Sequence, residues 1–198
     1  SFGQGNSVTP IQLVTAVSAA VNGGNLMQPY IVKRMLHPYT NEVLYEREPS
    51  IKRRVISEET SETMRYALEM VGAQGSGKGA YIDGYRVGGK TGTAQKAKDG
   101  AYISGEYILS FVGIAPMDDP QLVVYVAIDN PKNTVQYGGV VAAPIARSIL
   151  AEALPYIGVE PREEQIEKKY LWTDTKYVTV PDFVGKEPKE IESSYLYN

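Results

Sequence analysis

The chain has 198 residues, of which 43% are hydrophobic and 22% are charged, as is typical of globular proteins. Its formal net charge of −3 argues against a nucleic-acid-binding surface, so we predict no nucleic-acid partner. Because the sequence has no cysteine and a single histidine, it predicts no metal site, and we expect no cofactor.

The two ends of the sequence resemble cut points. Ser1 lies within motif-like sequence without a preceding methionine, and Asn198 ends the chain in the middle of a pattern. We therefore expect a piece excised from a longer protein. We find no apolar run of membrane-spanning length and no signal-peptide pattern.

The first predicted helix covers residues 10–21. Thr9 and Gln12 form a capping box, and Pro10 occupies the first helical position, where its missing N–H costs nothing. Residues 22–24, Asn-Gly-Gly, are typical of a helix end.

Two further helices are predicted. One begins after Ser57 and ends at Gly72, and its apolar stripe consists of Met64, Leu68 and Val71. The other begins at Pro144 and covers residues 145–154.

Strands are predicted at 30–36, at 85–93 and then at 107–115 and 122–128. A short hairpin is expected within 41–54. The connection between the last two strands is too short for a crossover helix, so that pair should be antiparallel. The continuous apolar run 122–126 predicts burial on both faces.

These elements predict an α+β fold. An antiparallel β-sheet formed by residues 85–128 should be flanked by helices, with those at 10–21 and 144–154 packed against it. Residues 158–176 change composition and predict a charged linker or an exposed helix. Residues 177–198 begin a separate unit with a short strand and a proline turn.

The segment 87–95, VGGKTGTAQ, holds three glycines, one lysine and two threonines between predicted strands. Glycines allow a close backbone approach, Lys90 supplies a positive charge, and Thr91 and Thr93 supply hydroxyls. The segment therefore predicts a place for an anionic or carbonyl-bearing molecule at a sheet edge.

One interpretation of this segment is a phosphate loop, because residues 84–91 satisfy G-x-x-x-x-G-K-[ST]. Lys90 would then bind phosphates, Thr91 would ligate magnesium, and Asp129 would end a Walker-B-like strand. A phosphate loop must open a helix, however, and the polar turn at 96–100 leaves no room for one. We disfavour this interpretation.

The other interpretation is the K-T-G element of serine acyl transferases that act on D-alanyl peptides or β-lactams. In order, the sequence contains SFGQG at 1–5, TPIQ at 9–12, AAVNGG at 19–24, GKTGTAQ at 89–95 and FVGIAP at 111–116. Together these closely resemble the C-terminal part of a penicillin-binding protein transpeptidase domain. The resemblance covers about residues 1–157.

The tail carries a second, shorter resemblance. Residues 178–185, VTVPDFVG, resemble the start of a PASTA module, which follows the transpeptidase domain in some class B enzymes of Gram-positive bacteria, including division and sporulation types. This implies a transpeptidase part at 1–157, a linker at 158–176 and a truncated PASTA-like module at 177–198.

The resemblance implies a peptidoglycan D,D-transpeptidase that cross-links stem peptides by serine acyl transfer and binds β-lactam antibiotics. Lys90 and Thr93 would be catalytic. Lys90 would supply positive potential and assist the proton relay, and the Thr93 backbone N–H would join the oxyanion hole. Thr91, Gly92 and Thr93 would bind substrate: the Thr91 hydroxyl would hold the donor's terminal carboxylate, and Gly92 would keep the strand flat.

The sequence departs from this family at the nucleophile. No serine in the chain is followed by lysine three residues on, as S-x-x-K requires, or by asparagine two residues on, as S-x-N requires. Both elements should lie in a missing N-terminal part of the same protein. We therefore expect this piece alone to be inactive.

Three alternatives stay open at this point. One is a fragment of a β-lactamase or D,D-carboxypeptidase, another is a non-catalytic peptidoglycan-binding module, and the third is the disfavoured nucleotide-binding loop. Under the leading interpretation the parent protein lies on the extracytoplasmic face of the bacterial membrane, anchored by an N-terminal segment. Its partners could include division or sporulation proteins.

Overall fold

The computed structural model describes residues 7–170 and Val184. It contains four α-helices and seven strands within these residues, which confirms the predicted α+β class. The helices are α1 (Pro10–Val21), α2 (Glu58–Gln74), α3 (Gly138–Val141) and α4 (Ala143–Tyr156). The strands are β1 (Asn25–Met27), β2 (Arg34–Leu36), β3 (Val43–Glu46), β4 (Ile51–Arg54), β5 (Gly88–Lys98), β6 (Ala101–Ala115) and β7 (Leu122–Asp129).

Helix α1 has the predicted bounds because its capping box forms. The Gln12 backbone N–H donates to the Thr9 hydroxyl, and the Gln12 side-chain oxygen accepts from the Thr9 backbone N–H at 2.9 Å. Val17 and Val21 then pack beside Ile114 of the central sheet, so the local capping signal also places the helix on the core.

The small strands before α2 differ from the prediction. The predicted strand 30–36 shortens to β2, and β1 was missed. β3 pairs with β2 and β4 pairs with β1, so 41–54 does not form its own hairpin. The pairing of β1 with β4 joins strands that are distant in sequence, and local propensity does not encode such a tertiary contact.

Helix α2 runs past Gly72, where its end was predicted, and finishes before Gly75. A Cβ at Gly72 would overlap the Val87 carbonyl oxygen, so this glycine serves close helix–strand packing rather than helix termination. The predicted apolar stripe is partly wrong as well: Met64 is exposed, whereas Ser61 and Glu69 are buried. At Ser61 and Glu69 the buried face of α2 therefore carries polar side chains with hydrogen-bond partners, where an apolar stripe was predicted.

The central sheet is antiparallel with the order β5-β6-β7. Strand β5 continues past its predicted end at residue 93, and β6 begins before residue 107, so the two meet at Asp99-Gly100, where φ is 51° and 81°. Two positive φ values in an Asp-Gly pair match the type I′ turn of two-residue hairpins. The polar stretch 96–100 is therefore mostly strand.

Strand β7 is antiparallel to β6 as predicted, but it is not buried on both faces. All of its apolar residues are half-buried or exposed. Val124 and Val126 face the core below α4, while Val123 faces α1. Among the described strands β7 pairs only with β6, so it lies at a sheet edge, where the covering helices reach it only in part.

The main core lies between β6 and α4. Phe111 of β6 and Leu150 and Leu154 of α4 are fully buried there. Helix α4 extends past residue 154, its predicted end, continues through Pro155 and ends before Ile157.

Residues 158–170, which we call the C-terminal segment, form no helix and run along the surface of the domain. Val159 packs on the main core, Arg162 pairs with Asp118 at 3.1 Å, and the Lys169 N–H donates to the Ala73 carbonyl. The SFGQG run at 1–5 lies outside the described residues, as does the predicted PASTA-like run apart from Val184. No helix in the described part of the chain is long and apolar enough to cross a membrane.

Candidate functional site

The site is built on the first half of β5. Lys90 and Gly92 alternate with Thr91 and Thr93 along the strand, so the two pairs face opposite sides of the sheet. Thr91 is paired with Phe111, which places the Thr91 side chain on the α4 face. Lys90 is exposed and its Nζ lies 3.0 Å from the Thr91 carbonyl oxygen. The segment therefore presents a cation on one face and hydroxyls on the other.

One edge of β5 has no partner strand among the described residues, since β5 pairs only with β6. An unpaired strand edge offers backbone N–H and C=O groups to an extended peptide. Gly92 has no side chain on the Lys90 face, where a Cβ would overlap the Ser110 hydroxyl of the paired strand β6. The edge is thus suited to binding a peptide backbone.

The geometry excludes the phosphate-loop interpretation. Lys90 and Thr91 lie inside an 11-residue strand, and no helix begins after them until Gly138. A phosphate loop needs a helix N-terminus directed at the phosphates immediately after the lysine.

Ser76 is a site residue that the sequence analysis missed. Its hydroxyl lies 3.1 Å from the Thr91 hydroxyl, and either group can donate. The N–H groups of Gly75 and Gly77 both bond to the Val71 carbonyl, which fixes the turn that carries Ser76. A serine between two glycines after a helix was the available signal, but only the fold brings it to β5.

Helix α3 closes the other side of Thr91. Ser76, Thr91, Tyr137 and Gly139 line an open cavity of about 400 Å³. Gly139 lies directly against the Ser76 carbonyl and the Thr91 methyl group. The Thr91 hydroxyl therefore faces this cavity, which lies between the Ser76 turn and α3 and which we call the recess.

Gly139→Ala is expected to disturb this recess. A Cβ at this position would overlap the Ser76 carbonyl oxygen, and backbone cannot move aside as a flexible side chain can. We expect a loss of about 1–3 kcal/mol in the free energy of unfolding, measured by denaturant unfolding. Gly100→Ala adds a Cβ that meets nothing within 4 Å. Because φ at Gly100 is positive, any loss of stability in Gly100→Ala measures the strain of alanine in that turn and not a packing overlap. An unchanged Gly139→Ala protein would contradict the packing.

A buried ion pair fixes the start of β5. Arg86 donates from Nε and a terminal nitrogen to both oxygens of Glu69, at 2.9 and 2.8 Å. Glu69 is only 2% exposed, and its hydrogen bond holds the pKa of Arg86 above its ordinary value. Because Arg86 has a φ of 43°, β5 begins at Gly88 rather than at the predicted Tyr85. The bidentate pair anchors this turn to α2.

Tyr81 lies between the site and the C-terminal segment, and its hydroxyl accepts from the Gln165 amide. Burial, with a smaller contribution from the Asp83 carboxylate, raises the pKa of Tyr81 to about 12. The folded state thus holds this phenol in its neutral form.

The raised pKa of Tyr81 predicts a loss of stability at high pH. The unfolded chain releases the phenol proton near pH 10, whereas the folded chain keeps it until about pH 12. The stabilisation is complete below pH 10 and is lost between pH 10 and 12. We expect the melting temperature to fall less steeply over this range in Tyr81→Phe than in the wild type. Parallel curves would contradict the shift.

No group of three or more histidine, aspartate or glutamate side chains in the described part of the chain could hold a metal ion. What this site offers is an exposed ammonium group, paired hydroxyls and a strand edge. These groups can bind a carboxylate and align a peptide, but they include no activated nucleophile.

Comparison with known proteins decides the family. The family model described as "Penicillin binding protein transpeptidase domain" matches residues 1–151. The chain belongs to the penicillin-binding protein transpeptidase family. The Lys-Thr-Gly segment of residues 90–92 lies within the matched range.

Relatives in this family carry informative names. The chain is 59% identical over 193 residues to "Stage V sporulation protein D" of Bacillus subtilis, covering 98% of this chain and 30% of that protein. It is 35% identical over 173 residues to "Peptidoglycan D,D-transpeptidase FtsI homolog" of Mesostigma viride, covering 81% of this chain and 29% of that protein. The chain thus spans about a third of the length of these relatives.

Solved structures of the family have the same fold. Penicillin binding protein 3 from Mycobacterium tuberculosis, complexed with ampicillin, aligns with a TM-score of 0.70 at 30% identity, covering 84% of this chain and 40% of that one. The transpeptidase domain of penicillin-binding protein 3 from Burkholderia pseudomallei gives 0.65 at 36% identity, covering 81% and 46%. The predicted class of antiparallel sheet flanked by helices is confirmed.

Proposed function

We propose that this chain is part of a serine D,D-transpeptidase that cross-links peptidoglycan stem peptides and is inhibited by β-lactams. The observation that supports this most directly is the position of the K-T-G element. It lies on a strand whose outer edge has no partner within the part of the chain that the structure describes, and its threonine hydroxyl faces a recess beside Ser76. Such an edge can bind a donor peptide as an added strand, and the hydroxyl can bind its terminal carboxylate.

In this proposal a serine from the N-terminal part of the same protein attacks the carbonyl before the donor's terminal D-Ala. The ester bond forms, the peptide bond breaks, and the serine proton passes to the departing D-Ala amine. Lys90 supplies positive potential and assists that proton transfer. The Thr93 N–H stabilises the oxyanion, while Thr91 and Gly92 bind substrate. An amine of a neighbouring stem peptide then attacks the ester: the new amide bond forms, the ester bond breaks, and the amine proton passes to the serine oxygen.

The subclass that we propose is a class B enzyme of the sporulation type, supported by the 59% identity to a protein named for stage V of sporulation. The parent protein would act at the extracytoplasmic face of the membrane. We further propose that the transpeptidase part ends at residue 157, that 158–176 is a linker and that 177–198 begins a PASTA-like module. Deletion of 177–198 from the full-length protein should weaken muropeptide binding if this division is right.

The central test is covalent labelling by a fluorescent penicillin. The full-length protein should form a stable labelled acyl-enzyme, whereas the isolated 198 residues should not, because they hold neither S-x-x-K nor S-x-N. Labelling of the isolated piece would overturn the assignment of its role. Rapid release of hydrolysed penicillin from the full-length protein would favour the β-lactamase alternative instead.

A further inference from the structure

A second cavity adjoins the recess beside Thr91. It measures about 170 Å³, and Lys78 and Gly79 line both this cavity and the recess, so the two lie next to each other. We call the second cavity the basic groove. It is lined by Lys78, Gly79, Tyr81, Asp83, Arg147, Lys168 and Tyr170. The C-terminal segment supplies one of its walls.

The basic groove has a net positive charge. It contains three cationic side chains, those of Lys78, Arg147 and Lys168, against the single carboxylate of Asp83. Contacts with the protein hold these cations in place. Arg147 Nε donates to the Tyr81 carbonyl at 2.9 Å, and Lys168 Nζ lies 4.8 Å from the centre of the Tyr170 ring. A groove of this charge favours an anionic ligand.

The position of the basic groove relative to the donor peptide shows which substrate could occupy it. This step rests on the proposed function. If Thr91 binds the donor's terminal carboxylate, the donor peptide ends at Thr91. The basic groove then lies beyond the last residue of the donor peptide. After the terminal D-Ala leaves, the attacking amine must take the position that the leaving amine occupied. The acceptor peptide therefore approaches from the Thr91 side of the scissile bond.

We propose that the basic groove receives the acceptor stem peptide and that Arg147 and Lys168 bind a free carboxylate of that peptide. The acceptor amine would then reach the acyl-enzyme through the recess beside Thr91. Charge complementarity and the lining residues shared with the recess beside Thr91 support this occupant. The C-terminal segment becomes part of the substrate-binding surface through Lys168.

The test uses the full-length enzyme with a thioester donor and two acceptor peptides. One acceptor carries its free carboxylates, and in the other these carboxylates are converted to carboxamides. We compare wild type, the single variant Lys168→Gln and the double variant Arg147→Gln/Lys168→Gln. The matched control, Arg53→Gln/Arg54→Gln, removes two charges from exposed strand β4. The readouts are the acceptor concentration for half-maximal transpeptidation and the rate of acylation by labelled penicillin.

We expect the double variant to need a roughly five- to tenfold higher concentration of the carboxylate-bearing acceptor for half-maximal transpeptidation. Its acylation rate should be unchanged. The concentration of amidated acceptor that it needs should change little. If the double variant does not fold, the single variant Lys168→Gln provides the test. Its acceptor concentration for half-maximal transpeptidation should rise about two- to threefold. Normal acylation with unchanged acceptor dependence overturns the acceptor groove, as does an equal change in the control. Failure of the wild type to react with penicillin overturns the proposed function itself.

Discussion

Under the proposed function, replacement of Lys90 by alanine in the full-length protein is expected to lower the rate of acylation by labelled penicillin by about 10²–10³-fold. This is the usual effect of removing one preorganised group that stabilises charge in the transition state. Lys90 is exposed on β5 and its Nζ lies beside the Thr91 carbonyl, so the truncation removes charge without opening a cavity in the core. Stopped-flow acylation measures the rate.

Lys98→Ala is the matched control for this prediction. It removes the same charge from the exposed far end of the same strand. Its acylation rate should equal that of the wild type, and both variants should keep the wild-type melting temperature. Acylation of the Lys90→Ala protein at the wild-type rate would contradict the proposed role of Lys90.

Replacement of Glu69 by alanine is expected to destabilise the fold by about 3 kcal/mol. The substitution leaves the partly buried Arg86 guanidinium without the carboxylate that accepts two of its hydrogen bonds. Removing one partner of a buried ion pair is costly because the other charge stays desolvated. Denaturant unfolding measures the loss, and labelled penicillin shows whether the site also loosens.

Glu62→Ala provides the control on the same helix. Glu62 is 63% exposed and lies 3.9 Å from Arg65, so its loss should change the free energy of unfolding by at most about 1 kcal/mol. The double variant Glu69→Ala/Arg86→Ala should lose less than the two single losses added together, because the pair acts as a unit. Additive losses would show that the two side chains contribute independently.

Residues that act locally were predictable from the sequence. The Thr9–Gln12 capping box, the Ser57 N-cap and the helix end at Asn22 depend on groups within a few positions of one another. The antiparallel pairing of β6 and β7 followed from a connection too short for a crossover. The K-T-G element could be identified because its residue types and the flanking strand pattern occur together.

Errors arose where packing between distant segments overrides local preference. Gly72 has the character of a helix end, yet its missing side chain lets α2 approach the Val87 carbonyl. The apolar run of β7 predicts burial on both faces, but the strand lies at an edge of the described sheet. Glu69 has the character of a surface residue, and only Arg86, which is 17 positions away, explains its burial.

The sequence by itself determined the family, the position of its Lys-Thr-Gly segment and the absence of S-x-x-K and S-x-N from these 198 residues, because these depend on which residues follow one another. Only the tertiary structure decided that Ser76 meets Thr91, that Arg86 anchors β5 to α2 and that the C-terminal segment borders the basic groove. These contacts join side chains that are 15 or more positions apart. Their formation depends on how the helices and the sheet pack together, and no local pattern of residues encodes that.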